Sequence, residues 1–182
     1  MRVRVAALAA LAGIFIAGCS MLRSTPGEPA SATPPAPDSL GQVAVLRAIG
    51  GSAVSGKIRV VDRGDGASVL ISVINLATGR FRIAIHETPN CTSPNGFSAG
   101  PAWAPPAAGK RAEDLVPLLY ADAEGNAEIS LRVAGLRAGG INGVAGHSVV
   151  VYAGGDVTEA RPDVPNARIA CGVFERAQAL AF

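Results

Sequence analysis

The chain has 182 residues, of which 49% are hydrophobic and 16% charged, a composition that excludes an intrinsically disordered protein. This length suits one domain of ordinary size. The formal net charge of +2 arises from Arg2 and Arg4, which precede a removable apolar segment; without them, the 16 Lys and Arg residues become 14 and equal the 14 Asp and Glu residues. A neutral chain does not favour nucleic-acid binding, and two histidines exclude a site built from many imidazoles.

Residues 1–18 are predicted to form a signal peptide. A basic segment at residues 1–4 precedes an apolar run at residues 5–17, whose length suits a secretory signal and is short for a membrane span. The run ends in the tetrapeptide IAGC at residues 16–19, which resembles a bacterial lipobox. We therefore expect Cys19 to be acylated and inserted in a lipid bilayer. The alternative is an ordinary signal peptide in which this cysteine is incidental.

The segment after the lipobox predicts where the protein resides. Ser20 follows the cysteine, and a residue other than Asp at this position usually permits export to the outer membrane of Gram-negative bacteria. We therefore expect an outer-membrane lipoprotein on the periplasmic side of the cell envelope. Residues 19–40 are rich in Pro, Ser and Ala, which indicates a solvated linker, or alternatively a Pro-rich recognition ligand. Residues 41–182 are then the folded domain.

Two cysteines remain after the predicted lipidation site is set aside. These are Cys91 and Cys171. An exported protein meets an oxidising compartment, so we expect a disulfide that closes a loop of about 80 residues.

The domain has the period-two alternation of half-buried antiparallel strands. The predicted strands are residues 43–46, 54–60, 69–74, 81–86, 128–134, 148–153 and 168–174. Residues 62–66 and 122–126 are rich in Asp and Gly and predict tight turns. Many short strands with such turns indicate an all-β sandwich or barrel. Two long segments, about 88–115 and 154–167, interrupt the pattern and are candidate functional loops.

Several motifs in the domain resemble the copper/zinc superoxide dismutase family. They are AIHE at residues 84–87, CTS at 91–93, SAGPAWAP at 98–105, GHSVVVY at 146–152 and ARIACGV at 167–173. Their order and spacing agree with the family over about residues 42–175. The resemblance implies an eight-stranded Greek-key β-barrel, a type of β-sandwich. It also implies that a Cys91–Cys171 disulfide ties the long metal-site loop to the last strand.

The metal ligands are where the sequence departs from this family. The four copper-histidine positions hold Ala84, His86, Ala102 and Tyr152. Of the zinc ligands, only Asp114 is retained, and Arg111 occupies one of the histidine positions. One imidazole, one phenol and two methyl groups do not make a site for copper in both oxidation states. We therefore expect neither copper nor zinc to bind as in the family, and these positions are vestigial.

Other residues of the vestigial site have competing interpretations. Arg168 matches the family arginine that guides superoxide; here we expect it to bind carbonyls of the disulfide loop, or alternatively a small anion. His86 and Tyr152 are expected at the mouth of the vacated copper pocket, as a hydrogen-bonded remnant, a weak metal or haem contact, or a ligand or partner surface. The apolar loop around Trp103 is expected to fill the pocket, or alternatively to be an exposed partner site.

The sequence therefore predicts a non-catalytic, metal-free superoxide dismutase-like lipoprotein. Its predicted role is binding or structural, with a protein of the envelope as a candidate partner and no nucleic acid. One alternative is a copper- or haem-handling periplasmic protein that uses His86 and Tyr152. The other is a weak residual superoxide dismutase.

Overall fold

Eight antiparallel strands form a nearly closed barrel in the computed structural model, which describes residues 41–154 and 167–178. The strands are β1 (Gln42–Ala48), β2 (Ser55–Arg63), β3 (Gly66–Ile74), β4 (Gly79–His86), β5 (Leu119–Ala121), β6 (Ala127–Ala134), β7 (Ser148–Ala153) and β8 (Arg168–Arg176). Their order is β5-β4-β7-β8-β1-β2-β3-β6, and every pairing is antiparallel. The predicted all-β fold is confirmed.

Several predictions fall on other parts of the chain. The signal peptide, the acylated Cys19 and the linker lie outside the described residues, as does most of the second long segment. Among the described residues, no helix has the length and apolar character needed to cross a membrane.

The alternation of side chains along each strand fills the barrel interior. In β3, Val69, Ile71 and Val73 are buried while Leu70 and Ile74 on the opposite face are exposed. The same alternation recurs on the neighbouring strands and produces one continuous apolar core. Because each large aliphatic side chain contributes about 1.5–3 kcal/mol on burial, this core is a sufficient basis for the fold.

Two turns form where the sequence predicts them. Residues 64 and 65 connect β2 to β3, with Gly64 at a positive φ of 52°. In the turn before β6, the Asp122 carboxylate accepts hydrogen bonds from the backbone N–H groups of Glu124 and Asn126. Strand β5, which ends at this second turn, is not among the strands found by alternation, because three residues are too few to reveal a period.

A long loop, residues 87–118, connects β4 to β5 and contains three short 3-10 helices, Phe97–Ala99, Pro106–Ala108 and Ala112–Asp114. The predicted disulfide joins this loop to β8: Cys91 and Cys171 are bonded, with their Cα atoms 5.7 Å apart. Backbone hydrogen bonds also join the loop to the barrel, since the N–H of Trp103 donates to the Ile85 carbonyl of β4 at 2.7 Å. The loop is therefore fixed to the barrel next to β4, β7 and β8.

Candidate functional site: the outer face of β4 and β7

The candidate site lies outside the barrel, on the faces of β4 and β7 that the long loop covers. Ile83 and Ile85 belong to the barrel core, so the alternate residues Ala84 and His86 are directed to the outer face. These outer residues are nevertheless buried. A separate small apolar cluster of Ala99, Val150 and Cys171 lies beside them.

His86 is held in one tautomer by its two hydrogen bonds. Its Nδ1 atom lies 2.8 Å from the Gly100 carbonyl oxygen, and its Nε2 atom lies 2.7 Å from the Tyr152 hydroxyl. A carbonyl can only accept, so Nδ1 carries the proton and Nε2 accepts from the hydroxyl of Tyr152. Both nitrogens of the single imidazole at the family's copper positions are therefore occupied.

Burial keeps both members of this pair neutral. It lowers the pKa of His86 below its usual 6.5; the hydrogen bond to Gly100 opposes this change and the charge of Arg168 adds to it. Burial likewise raises the pKa of Tyr152 above its usual 10.0, and the charge of Arg168 opposes that rise. Between pH 6.5 and pH 10.0, the uncharged phenol of Tyr152 therefore donates to the uncharged imidazole of His86.

The alanine at position 84 makes room for this contact. Across the β4–β7 ladder, Arg82 faces Tyr152 and His86 faces Ser148, so Ala84 lies between the two interacting residues. Alanine has only a methyl side chain, and the ring centroids of His86 and Tyr152 lie 5.9 Å apart. A histidine at this position would compete for the same space.

His86 differs from the prediction that it lies at a pocket mouth. It is only 1% exposed, because the long loop and Tyr152 cover it. The Trp103 ring, expected to fill the pocket, is half-buried and stacks on His147 with the ring centroids 4.0 Å apart. Ala102 is exposed and forms a backbone bridge with His86. The side chain that occupies the space next to Nε2 of His86 is therefore that of Tyr152.

Arg168 makes the loop contact that was expected of it. Its Nη1 atom donates to the Gly96 carbonyl at 2.6 Å. Its guanidinium carbon lies 4.8 Å from the centre of the Phe97 ring and 5.7 Å from that of Tyr152. The side chain therefore links the 3-10 turn of the loop to the outer face of β7.

The barrel topology and the disulfide-tied loop agree with a comparison of the sequence with protein families. The family model described as copper/zinc superoxide dismutase (SODC) matches residues 54–174. The chain belongs to the copper/zinc superoxide dismutase family. A search of curated proteins found no match.

The zinc position in this superoxide dismutase relative holds an ion pair. The Nε atom of Arg111 lies 2.8 Å from Oδ2 of Asp114, and both side chains are largely exposed. A guanidinium therefore lies beside the carboxylate that the resemblance predicts to be the one retained zinc ligand. Within residues 41–154 and 167–178, no group of three or more His, Cys, Asp and Glu residues is arranged to hold a metal ion.

The residues at the copper positions do not fit the metal of the superoxide dismutase family. Two positions, Ala84 and Ala102, offer methyl groups. At the other two, the lone pair of His86 Nε2 is used by Tyr152, whose own oxygen keeps its proton. Copper binding there would break a buried hydrogen bond, deprotonate a phenol and still lack two ligands.

Sequence reasoning predicted that His86 and Tyr152 lie together, which their hydrogen bond confirms, but missed other contacts of this site. The pairing of Arg111 with Asp114 and the stacking of Trp103 on His147 were not predicted. The spacing of three residues between Arg111 and Asp114 was a usable signal for their ion pair. The Trp103 stack joins segments far apart in the chain and had no local signal.

Proposed function

We propose that this protein is a non-catalytic, metal-free member of the superoxide dismutase family with a binding or structural role in the cell envelope. The observation that carries the proposal is the Tyr152–His86 hydrogen bond of 2.7 Å, which uses the one imidazole nitrogen available to a metal. Its periplasmic, outer-membrane location is supported by the predicted signal peptide and by Cys19.

The chemistry of dismutation supports this proposal. A catalytic copper must cycle between two oxidation states, and imidazole ligands suit both states. At the family's copper positions this chain supplies one imidazole, His86, and both of its nitrogens have partners. A protonated phenol is a poor substitute, because the burial that raises the pKa of Tyr152 opposes formation of a phenolate ligand.

The fold itself has no need of a metal. The barrel interior is aliphatic, and the Cys91–Cys171 disulfide fixes the long loop to β8. The Gly96 carbonyl accepts from Arg168, and the Gly100 carbonyl accepts from His86. These contacts order the loop through protein groups alone, as a scaffold for binding requires.

The test is a metal titration combined with an assay of superoxide removal. The chain from residue 19 onward, with Cys19→Ser to remove the predicted lipid, is titrated with copper and zinc against a competing chelator. The matched control carries Ala84→His, Ala102→His and Tyr152→His together, which restores four histidines at the family's copper positions. We expect tight stoichiometric copper binding by the control and none by the natural sequence.

The natural sequence can give two contrary results. Stoichiometric copper with superoxide removal would overturn the proposal and leave an active dismutase. Tight copper binding without activity would instead favour a metal-handling protein that uses His86 and Tyr152. A Tyr152→Phe variant then tests the metal-handling alternative, because loss of the phenol removes one of the two ligands on which handling would depend and should weaken copper binding.

A further inference from the structure

The outer face of β8, β1 and β2 carries a groove of about 560 Å³, separate from the Tyr152–His86 pair. Its floor includes Val43, Val45 and Val173, and the Cys91–Cys171 disulfide forms part of its lining. Val45 is 52% exposed, so the groove presents apolar surface to its surroundings.

Positive charge is concentrated around this groove. The charged residues that line it are Arg47, Lys57, Arg59, Arg176 and Glu175, four cations and one anion with a net charge of +3. The side chains of Arg47, Lys57 and Arg176 make no hydrogen bond or ion pair with another residue in the described part of the chain. The neutrality calculated for the chain without its signal therefore conceals a local basic surface.

The β1–β2 ladder interleaves these cations with the apolar floor. Val43 faces Arg59, and Val45 faces Lys57. Exposed aliphatic groups beside Lys and Arg suit a surface that meets anionic lipid, where the charges bind headgroups and the aliphatic groups contact the acyl boundary. The same charges repel a second copy of the groove, which disfavours self-association through it.

The groove also lies where the predicted linker enters the domain. The N–H of Ala177 donates to the Gly41 carbonyl at 3.0 Å, and Ala177 lines the groove. Gly41 directly follows the predicted linker, residues 19–40, which would begin at the acylated Cys19. A chain anchored in this way enters the domain beside this basic groove.

We propose that this groove binds the headgroups of anionic phospholipids in the membrane that holds the anchor. Guanidinium groups form paired hydrogen bonds with phosphate oxygens, and stable membrane attachment commonly combines one lipid signal with a basic surface. The inference uses the lipoprotein part of the proposed function. It is independent of whether the Tyr152–His86 site binds a metal.

The test measures sedimentation of the Cys19→Ser chain, from residue 19 onward, with two kinds of vesicle. One contains phosphatidylcholine with about 30% phosphatidylglycerol, and the other contains phosphatidylcholine alone. We expect binding to the anionic vesicles at about 0.05 M salt and its loss at about 0.5 M. The groove variant Lys57→Ser/Arg176→Ser should bind about 25-fold more weakly, since each cation contributes about fivefold.

A matched control removes the same charge elsewhere. Arg63→Ser/Lys110→Ser replaces two exposed cations outside the groove lining and should weaken binding by less than about threefold. Equal weakening by the two variants would overturn the proposal, as would equal binding to neutral vesicles or binding to neither vesicle. A polyglutamate peptide is the third probe. If it binds the natural chain and binds the groove variant more weakly, while vesicles do not bind, the partner is an acidic protein segment and the lipid proposal is wrong.

Failure here is distinguishable from failure of the proposed function. The groove substitutions leave His86 and Tyr152 unchanged, and the unlipidated chain binds vesicles only through its own surface. A negative vesicle result therefore leaves the copper titration unaffected, and a positive copper titration leaves the vesicle result intact.

Discussion

The inside of the barrel and its outer face under the long loop differ in the kind of side chain that they bury. Inside, each strand contributes aliphatic side chains, and no metal or polar group is needed to fill the space. Outside, the buried polar side chains among the described residues are His86 and Ser148, and both are hydrogen-bonded to the loop. The barrel interior is therefore built from aliphatic side chains, and the outer face from polar contacts with the loop.

The two regions are also linked differently along the chain. The interior is filled by the alternation of side chains within each strand, whereas the outer face depends on a hydrogen bond and a disulfide between segments far apart in the chain. Ser148 donates to the Thr88 carbonyl at 2.7 Å, and Cys171 bonds to Cys91. No buried side-chain polar atom in the described residues lacks a hydrogen-bond partner. The buried polar side chains of the outer face therefore have their hydrogen-bond partners within the protein.

The largest effect is expected from the link between the regions. Replacing both Cys91 and Cys171 by serine should lower the free energy of unfolding by about 2–5 kcal/mol, because the bond spans 80 residues of the unfolded chain. Urea unfolding of the variant and of the natural chain measures this difference. Adding reductant should destabilise the natural chain alone; destabilisation of the serine variant as well would contradict the assigned disulfide.

A cavity in the barrel interior should have an effect of similar size. Ile83→Ala removes a side chain that is 1% exposed and should cost about 2–5 kcal/mol of unfolding free energy. The control is Leu70→Ala, at an outward position that is 42% exposed, for which a change within about 1 kcal/mol is expected. If thermal and urea unfolding rank the two variants the other way, the assignment of inward and outward faces is wrong.

A smaller effect is expected at the outer face. Tyr152→Phe leaves the buried Nε2 atom of His86 without its donor and should cost about 1–3 kcal/mol. The measurement is equilibrium unfolding, with Tyr120→Phe as the control because its ring is 65% exposed. Equal stability of the Tyr152 variant and the natural chain would show that the hydrogen bond contributes nothing to the folded state.

The pH dependence of stability should reveal the same neutral pair. The unfolded chain binds a proton at His86 more readily than the folded chain, so stability should fall as the pH drops below about 6.5. It should also fall above about pH 10, where unfolded Tyr152 loses its proton first. His86→Gln should remove the contribution of His86 to the decrease at acid pH and leave a decrease at alkaline pH from Tyr152. An unchanged loss of stability at acid pH would contradict the burial of the imidazole.

The interior was predictable from the sequence, because alternation is local. Strands β3 and β7 were identified in this way, while β5 was missed because three residues carry no clear period. The outer face was predictable in part. The resemblance identified the positions of His86 and Tyr152, but their hydrogen bond and the tautomer depend on Gly100 and on a strand 66 residues away.

The basic groove could not be predicted from the sequence, for a related reason. Its cations lie on three strands, at positions from Arg47 to Arg176, so they form no run along the chain. The overall charge balance concealed them further. Pairing of β1 with both β2 and β8 is what gathers them on one surface.

The most direct measurement of the central claim is nitrogen NMR of the His86 ring, before and after one equivalent of Cu(I). The Tyr152–His86 bond predicts a neutral ring protonated at Nδ1, with Nε2 accepting from a phenol, and no change in these signals when copper is added. A stoichiometric shift of the Nε2 signal, with loss of the tyrosine hydrogen bond, would contradict it.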